Sequence, residues 1–487
     1  AALCAVRRGL SPAITPAGRW ALASSLVLLA GGAATSRLPL ILLSQIVLAA
    51  IVWDYALAVQ LQRGFEQGRI RAGASSRERG FRRWAVEFRV GGVADLCGSL
   101  RLEPATSLGL QLEPTPLEYT PDSNHASPGN EIVLDCDLSA TRAGRRAVWG
   151  VWVHVATRRG WFGVAAYVPT FLPLWAPVAA SPGVRARSTT RRRSADRLVG
   201  SHTVAQPGSS AELRELRDYR QGDPVRRIDW RATARRGALT VREHEDDVVA
   251  TQMLVVDVSS TMLSADGAKM AYAQSLVAAL AEGPRRGGDR VGLVLADDGV
   301  AGFLPPRGGA AHAQRVVDAT AWIDARVGAT DTEVTDDDVV EAVAQHIAQH
   351  TGLDFCRVRG EAAAYAPTAE RFDLAALDAW IVETSGGAIA ALEREIAAAG
   401  VPAGHESPPR RYARYRALHI PRRVDAWLGR SGKGLAEAIE RAVETCAGVA
   451  GIVVVTDAAG IGDPAPVVRA LTLARLRRLR TACVVLW

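Results

Sequence analysis

The residues best placed to do chemistry lie in two short acidic stretches. The first is Met253-Leu-Val-Val-Asp257-Val-Ser259-Ser-Thr261, where a carboxylate is followed by spaced hydroxyls. The second is Ile452-Val-Val-Val-Thr456-Asp457, ending in a hydroxyl and a carboxylate. Oxygens from Asp257, Ser259 and Thr261 can converge on one point, and hard oxygen ligands with some retained water suit a small divalent cation such as Mg2+. Water activation by such an ion also needs a general base. No His stands in either stretch, His244 preceding the first strand, and no Ser-His or Cys-His pairing is evident. A binding site is therefore expected rather than a catalytic one, with a metal-dependent hydrolase as the alternative.

Each stretch begins with a continuous apolar run, the pattern of a parallel strand buried on both faces. Open α/β sheets bind ligands outside the carboxyl ends of their strands. Asp257 and Asp457 are thus expected to meet at one edge of one sheet and share an ion. The segments around them read as alternating elements. Ala265–Ala281 has helical spacing, Arg290–Ala296 is a second buried strand, and Ala301–Pro305 is a hairpin arm. Gly434–Cys446, Pro464–Arg480 and Thr481–Trp487 restore helix–helix–strand order around the Thr-Asp strand.

The stretch Asp257-x-Ser259-x-Thr261 resembles the metal-ion-dependent adhesion site of von Willebrand factor A domains, D-x-S-x-S, with Thr261 at the last hydroxyl position. Thr456-Asp457 resembles the third motif of that family. The resemblance implies that Asp457 supplies a further carboxylate, usually through water, and that a partner's Asp or Glu completes the coordination of the cation. The family's middle motif expects a Thr where this chain has Ser431-Gly432-Lys433-Gly434. Two readings stand open for that segment. Either the Lys433 ammonium sits near the carboxylates and replaces or weakens the metal, or Lys433 faces solvent while Ser431 or a water fills the gap. The segment is not a phosphate loop, because Trp427 and Gly434 stand where glycine and a hydroxyl are needed.

A longer signature precedes the first acidic strand: Tyr219-Arg-Gln-Gly222-Asp223-Pro-Val-Arg226-Arg-Ile-Asp229-Trp230. It resembles the hallmark of the family known as domain of unknown function 58. The resemblance implies a membrane-anchored, von Willebrand factor A-like protein that works with a MoxR-type AAA+ ATPase and a client protein. In physical terms Gly222-Asp223-Pro224 is a turn. Asp223 and Asp229 lie within reach of Arg226 and Arg227, and Trp230 offers an anchor. The segment reads either as an ion-paired lead-in strapped onto the sheet or as a docking surface.

The elements that position these motifs are spread over 487 residues, enough for about three domains. Residues 1–19 form a cytoplasmic segment and 20–61 a two-helix transmembrane hairpin. A β-sandwich-like domain covers 62–180, an Arg-rich linker and the signature 181–250, and an α/β doubly wound domain 251–487, with an insertion at about 325–430. The apolar runs Trp20–Ser36 and Leu38–Val59, the second containing only Asp54, are close to the ~20 residues that cross a bilayer. Arginines 7, 8 and 19 precede them, and arginines from 63 to 83 follow. The positive-inside rule then puts two spans in the inner (cytoplasmic) membrane with the soluble domains in the cytoplasm. A cleaved signal peptide, and with it an extracellular adhesion protein, is the rival reading.

From Phe81 to Val168 the pattern is alternation, as in Trp84, Val86, Phe88 and Val90, with turn residues between runs, which predicts a small antiparallel sandwich or barrel. Pro182–Ala211 reads as a solvated or lipid-facing tether. The insertion begins acidic (Asp336, Asp337, Asp338, Glu341) and ends basic (Arg410, Arg411, Arg414, Arg416). It could cap the metal face, contact a partner, or be a decoration. The formal charge of +7 comes with no nucleic-acid motif, so membrane lipid accounts for it better than nucleic acid. Six scattered cysteines (4, 97, 136, 356, 446, 483) argue against zinc and against a disulfide framework, and fit a reducing compartment. The chain starts without Met and closes inside a strand-like run, so further residues are expected at one or both ends.

Overall fold

The computed structural model describes residues 11–486 apart from 94, 121–125, 128–130, 179–201, 249, 260, 263–267, 288, 323–333, 359–365, 400–405, 421–430, 447–449 and 460. Side chains at 126–127, 202–215, 243–248, 283–287 and 431 are likewise outside the description. The chain divides into two compact units. One comprises Ala1–Pro177, Asp324–Leu392 and His405–Pro421; the other comprises Val178–Ile323, Glu393–Gly404 and Arg422–Trp487.

In the first unit, the apolar runs form helices Pro16–Ala34 and Leu38–Glu66. Both are long and apolar enough to cross a membrane. Their outward faces carry Trp20, Leu26, Val27, Leu42, Ile46 and Trp53. The second helix is longer than its apolar run predicts, and from Ile51 onward one side of it has a different task. Ile51, Ala58, Leu61 and Phe65 join the buried core of the β domain. Asp54 is buried there too and accepts a 2.6 Å hydrogen bond from the Thr157 hydroxyl. At the other end, strand Ala13–Ile14 pairs with Phe162–Gly163, and the Thr15 hydroxyl donates to the Gly160 carbonyl at 2.5 Å. Both ends of the hairpin are therefore tied to the same β domain.

That domain is two antiparallel sheets around one core. One sheet runs 13–14, 162–176, 144–157, 97–106, 117–119, and the other 71–80, 83–91, 131–140, 110–113. Alternation puts Trp84, Val86, Phe88 and Val90 inside, opposite Ile132, Leu134, Cys136 and Leu138 on the neighbouring strand. Burial pushes the Cys97 and Cys136 thiols up to about 12, which leaves them unreactive.

Most of the insertion, Asp324–Leu392 and His405–Pro421, belongs to the same unit as this β domain. Its helices Asp336–Thr351, Leu374–Ala398 and Pro408–Arg416 share a core of Val339, Val343, Ile347, Leu377, Ile381 and Tyr412. Its acidic start and basic end meet: Arg410 pairs with Asp336 at 2.5 Å. The Trp149 indole donates to the Arg416 carbonyl at 2.7 Å, and the Arg416 guanidinium lies over the Phe171 ring, 4.2 Å from its centroid. The Tyr167 hydroxyl bonds His350 Nδ1. Burial holds both His346 and His350 well below the usual imidazole range, so both stay neutral. Tyr167 passes directly over Gly150, where an added Cβ would lie 2.1 Å from the hydroxyl oxygen.

The second unit holds a five-stranded sheet in the order 300–307, 290–296, 251–257, 450–456, 480–485. The first of these is an antiparallel edge and the remaining neighbours are parallel. Every residue of Thr251–Asp257 and Ala450–Thr456 is buried, as the continuous apolar runs require. Helix Ser431–Thr445 covers one face, packing Leu435, Ile439 and Val443 on Met253, Val255, Ile452 and Val454. Gly434 permits this approach, since an added Cβ would lie 1.9 Å from the Asp297 carbonyl oxygen.

The expected tether at 182–211 ends earlier than its composition implies. Strand His202–Asp218 pairs with Thr240–Val248 in a two-stranded ribbon, with 202–204, 207 and 208 opposite partner residues, while 182–201 lies outside the described residues.

Replacing Gly150 by valine is expected to displace Tyr167 and loosen the insertion. Urea unfolding should show a loss of about 1–3 kcal/mol, and limited proteolysis should cut first within 334–421.

Candidate functional site

The strand register decides which side chains meet. Val256 lies opposite Val455, so Asp257 comes beside Thr456 at the carboxyl ends of adjacent parallel strands. The Thr456 hydroxyl donates to Asp257 Oδ2 at 2.6 Å, and the Ser259 backbone N–H donates to Oδ1 at 2.9 Å. Ser259 Oγ lies 3.1 Å from Thr261 Oγ1, and the Thr261 hydroxyl donates to Asp457 Oδ1 at 3.0 Å. The Ala459 N–H also donates to that oxygen at 3.1 Å. Asp257, Ser259, Thr261 and Asp457 are thereby joined in one chain of contacts, and Thr456 closes it from the other side.

Burial is nearly complete: 3% of Asp257, 1% of Ser259 and 5% of Asp457 remain exposed. Burial pushes the Asp257 carboxyl above its usual range, the hydrogen bonds from Thr456 and Ser259 oppose this, and the charge of Asp457 adds to it.

A lysine completes the site, and it is Lys269. Its ammonium lies 2.8 Å from Asp457 Oδ2. Lys433 faces solvent, its side chain 78% exposed and 3.9 Å from Glu437. That is the placement in the second reading of Lys433; the Ser431 side chain, which that reading set in the gap, lies outside the described residues. Gly434 lets the helix start pack closely against 297–299, and Gly432 lets it pack against Ile461 and Asp463. Lys269 and Thr456 were the contributors missed from the sequence. The scarcity of lysine was a usable signal for the first, and adjacency to Asp457 for the second.

Two carboxylates and three hydroxyls form a hard-oxygen donor set, which fits a small divalent cation. Among the described residues no group of three or more His, Cys, Asp or Glu side chains could hold a metal. An ion here would therefore depend on the hydroxyls and on retained water. Among the described residues, the Lys269 ammonium opposes it.

The signature segment is ion-paired, though with other arginines than spacing implies. Asp223 takes a bidentate pair from Arg217 at 2.7 and 2.8 Å and the Arg220 N–H at 2.8 Å. Those bonds hold its carboxyl down at about 2. Asp229 caps helix Trp230–Arg236 through the Arg231 and Ala232 N–H groups and pairs with Arg242 at 2.8 Å. Arg226 and Arg227, the expected partners, lie in a single 3-10 turn instead. Gly222 takes φ +106°, a value that favours glycine, and the Tyr219 N–H donates to the Leu239 carbonyl. Trp230 is 63% exposed and anchors nothing within the described unit.

Residues 215–353 match the model of the family described as "Protein of unknown function DUF58". Over these residues the chain is similar to the DUF58 family. This segment includes the signature and the Asp257 loop and ends before the Asp457 strand. Uncharacterized proteins of Mycobacterium bovis and Mycobacterium tuberculosis are 35% identical over 117 residues, which covers 24% of this chain and 37% of each relative. The chain thus spans well under two-thirds of the length of these curated relatives. No solved structure matches it.

Thr456→Val is expected to leave Asp257 Oδ2 without its donor and to lower stability by about 1–3 kcal/mol near neutral pH. Because the folded carboxyl already titrates high, stability falls as pH rises through that value. The deficit should accordingly shrink on acidification, as read by denaturant unfolding across pH. Asp223 has the opposite sign. Its contribution is present above the ordinary carboxylate value near 4 and is lost as pH falls toward 2, and Asp223→Asn should flatten the unfolding profile in that window.

Proposed function

We propose that this protein is a non-enzymatic, membrane-tethered binding protein. In this reading the second unit is a von Willebrand factor A-like domain that presents a metal-ion-dependent adhesion-like site. Asp257, Ser259, Thr261 and Asp457 would hold Mg2+ or a similar cation, which supplies a Lewis-acidic position for a partner's Asp or Glu. The residues of the chain orient that position: the Thr456 hydroxyl aims Asp257, and the Ala459 N–H aims Asp457. One observation carries the reading. Two acidic loops, distant in sequence, converge at the carboxyl edge of one parallel sheet, linked by the Ser259 N–H on Asp257 and by hydroxyl contacts from Ser259 through Thr261 to Asp457.

The partner in this reading is a MoxR-type AAA+ ATPase together with a client protein, and the work is assembly or maturation of a protein complex. The DUF58 match supports the family part of this proposal. Location follows from the hairpin. Its first helix has 19 residues, about 28 Å at ~1.5 Å per residue, close to a bilayer's hydrocarbon thickness. Both ends return to the same β domain, so an inserted hairpin leaves that domain on one side. Arg63, Arg69, Arg71, Arg77, Arg79, Arg82 and Arg83 follow it, and the positive-inside rule assigns that side to the cytoplasm of the inner membrane.

The test is co-isolation of the protein from membranes with a co-expressed MoxR-type AAA+ ATPase of the same organism. Recovery in Mg2+ is expected to fall at least ~10-fold, about 1.4 kcal/mol, on chelation or with Asp257→Ala. Equal recovery in all three conditions overturns the proposal. A reporter fused after residue 180 should be active on the cytoplasmic side.

A further inference from the structure

Lys269 stands where helix electrostatics disfavour it. It is the second residue of helix Ala268–Gly287, at the end where the helix dipole is positive. A carboxylate would be favoured there, and an ammonium is not. Asp457 is what holds it: the Nζ–Oδ2 distance is 2.8 Å, with the Asp457 side chain wholly buried and that of Lys269 27% exposed. Asp457 spends its other oxygen on the Thr261 hydroxyl and the Ala459 N–H. Asp257 has no cation among the described residues. Its oxygens take the Thr456 hydroxyl and the Ser259 N–H.

The side chain's chemistry fits the place. The chain has 58 basic residues, and only Lys269 and Lys433 are lysines. Arginine spreads its charge over a planar fork suited to two parallel bonds, whereas lysine is a compact point charge on a flexible stem. A point charge that can swing away from a buried carboxylate is able to trade places with a small hard cation. A guanidinium locked by two bonds is not.

We propose that Lys269 is a built-in counter-ion for Asp457 that competes with a divalent cation, so that binding of the ion and release of the lysine from Asp457 are one exchange. The inference rests on the cation reading above. In the lysine-bound state the site carries its own positive charge and holds Asp457 without metal. In the ion-bound state the ammonium leaves for the mouth of the site, where it faces an incoming acidic group. The cation therefore acts as a switch between a self-neutralised site and one open to a partner's carboxylate.

The chain's scarcity of lysine makes this testable on the unaltered full-length protein. Acetylation with a water-soluble active ester, read by peptide mass spectrometry, reports Lys269 and Lys433 separately. Saturating Mg2+, with binding followed by calorimetry, is expected to raise the Lys269 labelling rate at least ~5-fold and leave exposed Lys433 unchanged. Lys269→Gln and Lys269→Met should bind Mg2+ at least ~10-fold more tightly than the parent chain, while Lys269→Arg should not. Mg2+ binding with Lys269 labelling unchanged or reduced overturns the exchange and leaves the cation reading standing. No Mg2+ binding by either the parent or the variants overturns both.

Discussion

Asp257 and Asp457 are both buried, and a buried carboxylate stays ionised only where donors surround it. The arrangement of the second unit meets that demand locally. The parallel register puts the Thr456 hydroxyl on Asp257, the turn after the first strand supplies the Ser259 N–H, and Thr261 reaches across to Asp457. The site is thus a property of strand pairing. A one-residue slip between 251–257 and 450–456 would send every alternate side chain to the other face and part Asp257 from Thr456. Complete burial of both strands under helices makes such a slip prohibitive.

The first unit solves a different problem, that of holding an apolar hairpin against a β domain. It does so with a short added strand at the entrance and with a helix that continues past its apolar run at the exit. The Asp54–Thr157 bond sits where the helix leaves the outward-facing stretch and enters the core of the domain. The insertion packs onto the same domain through Trp149, Tyr167 and Arg416, with neutral imidazoles and a glycine making room for the tyrosine. Residues close in sequence to the α/β sheet therefore belong in space to the β domain.

Much was legible in the chain. The continuous apolar runs 253–256 and 452–455 name the central strands because only a strand covered on both faces tolerates them. The alternation around Trp84–Val90 and Ile132–Leu138 names half-buried strands. The two apolar helices, the acidic loops and the signature could all be marked by local composition. Pairings inside the signature could not. Arg226 and Arg227 are nearest in sequence to Asp223 and Asp229, yet the ribbon's register delivers Arg217 and Arg242 instead. The strand pairing at 202–204, 207 and 208, inside a segment whose composition reads as a tether, has the same origin, since ladder bonding depends on a partner strand and not on the residues it joins.

Local composition determined where the strands run, where the chain is apolar enough to leave water, and which loops carry hard oxygens, because those follow from side-chain periodicity. Only the tertiary structure decided that Lys269, rather than Lys433, faces Asp457, and that the insertion rests on the β domain. Both depend on contacts between segments far apart in the chain, where burial and charge neutralisation select the partner and sequence distance carries no weight.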